Sequence, residues 1–209
     1  MSINATNEGI IREVIPASNY LARCYSMVHI GTVCENIKGQ EKILNKVRIT
    51  WELPTELRVF KEENGLQPMV ISKEYTLSMH ENSNLRKDLE SWRGKVFSED
   101  EAKSFDITKL LGVPCMLNVI HKDTKSGKSY AFISGITNVP KGMECPDQIN
   151  ESFEFNFNDK FDFDILEKMP DFIKDKIKRS EEYKKIQNPE NTDIYQDEEN
   201  LNITDDLPF

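Results

Sequence analysis

The chain has few of the residues that metal sites and most catalytic centres require. Among its 209 residues are four cysteines and three histidines. Cys24, Cys34, Cys115 and Cys145 form no CxxC pair, and no histidine stands at zinc-finger spacing from them. That excludes the common structural zinc arrangements. His29, His80 and His121 are isolated, so no metal and no cofactor is expected, and the cysteines should remain free thiols in a reducing compartment. No apolar run approaches the roughly 20 residues that span a bilayer, and no secretory leader pattern stands at the N-terminus. The expectation is a cytoplasmic chain with no membrane partner. Phosphate-binding loops, GxSxG, HExxH and GxGxxG are all missing. The chain is therefore expected to bind rather than to catalyse.

Positive charge is also missing from one stretch. Residues 190–209 hold seven Asp or Glu (190, 193, 197, 198, 199, 205 and 206) and no Lys or Arg. Residues 1–144 carry 19 basic and 18 acidic side chains, whereas residues 145–209 carry 8 and 18. The net charge of −9 thus belongs to the C-terminal part, and a nearly neutral body can still bear a basic groove. A segment so acidic and so poor in apolar residues cannot bury enough surface to fold. Residues 189–209 read as a disordered tail.

The body alternates in the manner of strands. Residues 19–33 are rich in β-branched and aromatic side chains, with Gly31 marking a bulge. A hairpin loop over 35–41 leads to a second strand over 42–53. There Val47, Ile49 and Trp51 alternate with Lys46, Arg48 and Thr50, which assigns Trp51 to the core. A polar connection over 54–68 precedes a third strand over 69–79. Leu85, Leu89 and Trp92 then fall at helical spacing behind Ser83, a plausible N-cap. Ser98 and Glu101 make a capping box opening a second helical stretch over 98–111. Strands over 115–122 and 129–139 flank a turn at 123–127.

This order predicts a mainly β fold: a β-barrel of the oligonucleotide/oligosaccharide-binding (OB) kind, five strands with a helix between strands 3 and 4. The predicted divisions are an arm over 1–16, the binding domain over 17–142, an extension over 143–188 and the tail. The extension alternates Phe153, Phe155, Phe157, Phe161 and Phe163 with polar residues, which suits an added strand and an extended segment packed on the barrel. A short lysine-rich helix over 170–186 follows.

Sequence-tolerant binding of a single strand needs cations along its backbone and aromatic faces against its bases. Arg23 with Tyr25, Lys46 with Arg48, and Lys73 with Tyr75 each stand two residues apart on a strand, and would line one groove if their faces coincide. Lys122, Lys125, Lys128 and Tyr130 gather around the last hairpin. Arg86, Lys87 and Arg93 surround Trp92, which reads either as the buried end of a helix or as a stacking platform. These fourteen residues are the candidate nucleic-acid contacts.

The last residues, Asp205, Asp206, Leu207, Pro208 and Phe209, combine two carboxylates with an aromatic knob. They resemble the acidic tip of bacterial and bacteriophage single-stranded DNA-binding proteins, which end in Asp-Asp-(Ile/Leu)-Pro-Phe. The resemblance implies that these five residues are a docking peptide for replication, recombination or repair enzymes. The stretches ASNYLARCYSMVHIGT, VRITWELP, ISKEYTLSMHENSNLRKDLESWRGK and LLGVPCMLNVIHK resemble an uncharacterised bacteriophage family encoded near replication functions, implying host cytoplasm as the setting. The long connection between strands 3 and 4 and the helix before the tail depart from typical bacterial single-strand binders. These departures put the usual tetrameric assembly in doubt, while a homo-oligomer of some kind stays among the expectations. The rival expectations are a tip-mimicking interaction protein that does not bind DNA, and a recombination mediator or annealing protein.

Overall fold

The computed structural model describes residues 14–157 and 161–188. Two long strands, β1 (Ser18–Ile37) and β2 (Gln40–Val59), pair antiparallel along most of their length. They turn through Lys38 and Gly39, both at positive φ (52° and 87°). A two-residue hairpin turn with both central residues left-handed matches the twist of its strands. Asn36 Oδ1 accepts the Gly39 N–H at 2.9 Å, so the turn is tighter than the seven-residue loop expected from sequence.

β2 does not stop at Pro54. The β2–β3 register shifts between Leu53 and Leu57, and this irregularity accommodates the missing proline N–H. Both strands then run on as a hairpin arm, so β2 reaches Val59 and β3 (Leu66–Thr76) begins at Leu66. Two helices follow, α1 (Asn84–Arg93) and α2 (Glu99–Lys103), and then β4 (Pro114–Asp123) and β5 (Ser129–Thr137). Both caps read from the sequence form: Ser83 accepts the Arg86 N–H, and Ser98 and Glu101 make the reciprocal box. The helical signal over 98–111 splits into α2 and a 3-10 turn at Ile107–Leu110, which Asp106 caps.

Five antiparallel strands lie in the order β3-β2-β1-β4-β5, and a sixth, β6 (Phe153–Phe155), pairs parallel to β1. β6 meets Ser26–Val28, just past Arg23, where β4 ends its pairing with β1. The fold is mainly β, but the sheet is not the closed five-stranded barrel that the sequence suggested. β3 and β5 are its edges and do not pair. α1 packs against both, inserting Leu85, Leu89 and Trp92 into the main core. β3 and β5 come close to each other without backbone pairing, so the ring stays open.

Each face of the sheet has its own core. The inner one gathers Ala22, Cys24, Val47, Ile49, Trp51 and Leu117, with both tryptophans in contact. The outer one gathers Val28 and Ile30 of β1 with Phe155 and three C-terminal helices, α3 (Phe163–Lys168), α4 (Asp171–Lys178) and α5 (Glu181–Gln187). α3 begins at Phe163, where the segment expected to be extended ends. The helix expected over 170–186 breaks at Arg179–Ser180, where Ser180 caps α5 by accepting the Tyr183 N–H. Among the described residues no helix is long and apolar enough to cross a membrane.

Two contacts fasten the extension to the outer face. Glu52 is fully buried, and its carboxylate accepts the N–H groups of Ile149 and Asn150 and the Asn150 side-chain amide. At the other end Glu182 accepts both the N–H and the hydroxyl of Thr32. Gly31 makes that approach possible. It sits at a register shift of β1 with φ +88°, and a Cβ there would lie 2.6 Å from Glu182 Oε2 and 2.7 Å from Ser180 Cβ. Gly31→Ala is therefore expected to cost about 1–3 kcal/mol, from overpacking and a strained left-handed backbone. Thermal denaturation checks this, and an unchanged midpoint would refute the close-approach argument.

Candidate nucleic-acid interface

The three strand pairs predicted to line a groove do not share a face. Val47, Ile49, Ile71 and Tyr75 all enter the inner core, so Lys46 and Arg48 point outward while Lys73 and Tyr75 point inward. Each pair also has partners already. Arg23 donates to the carbonyls of Pro146, Gly112 and Cys145, which pins the extension to β1. Tyr25 is half-buried; burial pushes its phenol up, and Glu52 adds to the shift. Lys46 pairs with Glu35 at 2.8 Å. Arg48 pairs with Glu74 at 3.0 Å and lies 5.1 Å from the centre of the Phe172 ring. Lys73 and Tyr75 both bond Asp88 of α1, at 2.6 and 2.8 Å. Burial, then the Asp88 charge, holds the Tyr75 phenol well above its ordinary range.

Most of the α1 cluster is likewise structural. Arg86 is buried and reaches Glu90, Glu99 and the carbonyls of Met79 and Phe97. Trp92 is buried, and its indole N–H donates to the Pro114 carbonyl at 2.9 Å. That decides for the helix-end reading over the stacking platform. The Arg93 guanidinium lies over Phe97 and Phe105. Lys87 is exposed.

The β4–β5 hairpin differs. Lys122, Lys125, Lys128 and Tyr130 are all exposed. Lys122 pairs across the strands with Tyr130, and Ile120 with Phe132, which places these four side chains on one face. The Lys122 ammonium stands 3.3 Å from the centre of the Phe132 ring, a cation held over an aromatic plane. This face alternates charge and apolar surface in the open, as a stacking site requires.

A second exposed hairpin escaped the sequence reading. At the end of the β2–β3 arm, Val59 and Leu66 are cross-strand partners and Phe60 follows, all more than half exposed. Arg58 and Lys61 flank them. The run Arg58-Val59-Phe60-Lys61 was the available signal, hidden because Pro54 seemed to end the strand. β2 and β4 both run antiparallel to β1, so both hairpins lie at the same end of the sheet. Residues 205–209, the predicted docking peptide, lie outside the described residues.

Among the described residues no His, Cys, Asp or Glu cluster could hold a metal ion. Comparison with known proteins gives no match: no protein-family model fits the chain, and no curated protein and no solved structure matches it significantly.

Glu74 links the strand faces to the extension, because it also pairs with Lys176 of α4 at 2.7 Å. Burial alone would raise its carboxyl, but bonds and charges from Lys176 and Arg48 outweigh that and hold it below the ordinary range. A carboxyl depressed in the folded state contributes stability above its unfolded pKa, lost as pH falls through the folded value. The melting temperature is therefore expected to drop as the solution is acidified below about pH 4.5. Glu74→Gln should melt lower at neutral pH and show a flatter acid limb. Parallel limbs in the two proteins would count against this role.

Proposed function

We propose that the chain is a sequence-independent single-stranded DNA-binding protein of phage replication or recombination. Its two exposed hairpins grip the strand, and Asp205, Asp206, Leu207, Pro208 and Phe209 recruit partner enzymes. The observation that carries this reading is the exposed lysine and aromatic face of the β4–β5 hairpin, with Phe60 displayed at the same end of the sheet. An OB-like relationship is supported by the element order, with a helix between β3 and β4 and β1 central between β2 and β4. Such domains are partly open five-stranded Greek-key barrels that bind oligonucleotides. The tip's resemblance to the acidic ends of single-strand binders comes from a separate part of the chain.

A second reading rests on the ion pairs. Most of the strand cations are bonded within the protein, which favours an interaction protein that displays the tip without binding DNA. Fluorescence anisotropy with labelled poly-dT across a salt series, beside duplex competitor, separates the two. The first reading expects binding that weakens steeply with salt and ignores duplex. Tyr130→Ala and Phe60→Ala should each weaken it by about 1–3 kcal/mol, roughly 5- to 150-fold. Absence of binding at low salt favours the second reading. In either case, removing residues 201–209 should abolish enzyme recruitment, and in the first it should leave DNA affinity unchanged or raised. Recruitment that survives the truncation would refute the docking role.

A further inference from the structure

A cleft of about 880 Å³ opens where the two cores meet. Leu77 and Met79, which follow β3, line it, so it lies at the opposite end of the sheet from the hairpins. Met27, Val47, Leu77, Met79, Phe105 and Ile107 reach it from the inner core and its margin, and Phe155 from the outer core. Its size is that of a site built for a ligand or for the anchoring side chains of a peptide. Met27 and Met79 have the unbranched, adaptable side chains common on surfaces that accept varied apolar partners.

The rim of this cleft is acidic. Glu99, Asp106 and Glu154 line it, against Lys103 as the one Lys or Arg. Several rim groups are already bonded: Glu99 to Arg86 at 3.0 Å, Thr108 to Asp106, Asn156 to Glu154, and His29 to Asn45. The cleft therefore offers an apolar floor and, with Glu99 neutralised by Arg86, a border where Asp106 and Glu154 outnumber Lys103. That charge opposes nucleic-acid phosphates, and equally the protein's own Asp205 and Asp206. A cationic partner gains from it.

We infer that this cleft docks a basic, apolar-faced peptide segment of a partner protein. It shares no residue with the hairpins, so the assignment stands whether or not the chain binds DNA. The full-length protein is titrated against a labelled amphipathic leucine–lysine peptide, with the leucine–glutamate counterpart as control. Saturable binding of the lysine peptide alone is expected. Glu154→Lys, at an exposed position, should weaken it about tenfold, and Met79→Ala should weaken it as well. Reversing two exposed carboxylates outside the cleft, Glu62→Lys with Glu63→Lys, should leave it unchanged. Equal binding of both peptides would overturn the assignment. So would equal losses from the Glu154 and the Glu62/Glu63 reversals, since attraction to net charge alone would then suffice. Displacement of the probe by a peptide of residues 201–209 would assign the cleft to the chain's own tail and overturn it too.

Discussion

Strand β1 has two faces to hide. Ala22, Cys24 and Met27 enter the inner core while Val28 and Ile30 enter the outer one, and all five are buried. A strand apolar on one side can leave the other in water; a strand apolar on both needs a cover on each. α1 and the curl of the sheet supply the inner cover, and β6 with the three C-terminal helices supplies the outer. The switch between cores occurs at the irregularity between Cys24 and Ser26, which alters the inward alternation. The extension is therefore part of the folded body.

That architecture decides where cations are available. The outer face of β1 and β2 presents Arg23, Tyr25, Lys46 and Arg48, but it is also the extension's docking surface. Arg23 is engaged by the carbonyls of Cys145 and Pro146, and Arg48 by Glu74 and Phe172. Partly buried pairs of this kind are costly to break, because the abandoned partner keeps its desolvation penalty. The hairpins extend beyond the covered region, and their side chains have fewer internal demands. A nucleic-acid surface, if it lies anywhere on this fold, is best served by residues that the fold does not need.

Local signals in the sequence translated well. Alternation at Val47, Ile49 and Trp51 gives the inward face of β2, the caps at Ser83 and Ser98 start helices, and Gly31 marks a break in register. What failed to translate depends on partners far along the chain. Nothing near Arg23 announces that its acceptors lie more than 120 residues away at Cys145 and Pro146. Lys73 and Tyr75 stood beside the pairs on β1 and β2 only on the condition that the faces coincide, and alternation fixes relative facing within a strand, not which side of β3 turns inward. Pro54 was read by its usual effect on central strands, whereas here it falls in an irregular segment between two paired stretches. The barrel was inferred from element order, which sets neighbours but cannot say whether the two edge strands pair.

The chain has only two tryptophans, and both are committed to the inner core. Trp51 is wholly buried, Trp92 nearly so, and their ring centroids are 5.7 Å apart. The intrinsic emission of this protein therefore originates in one coupled pair deep inside the sheet. It is a sensitive gauge of whether the core is packed, and a poor gauge of what rests on the surface. A change in tryptophan fluorescence on adding a ligand would mean that the ligand had altered the interior, while a silent spectrum would say nothing about occupancy of the hairpins.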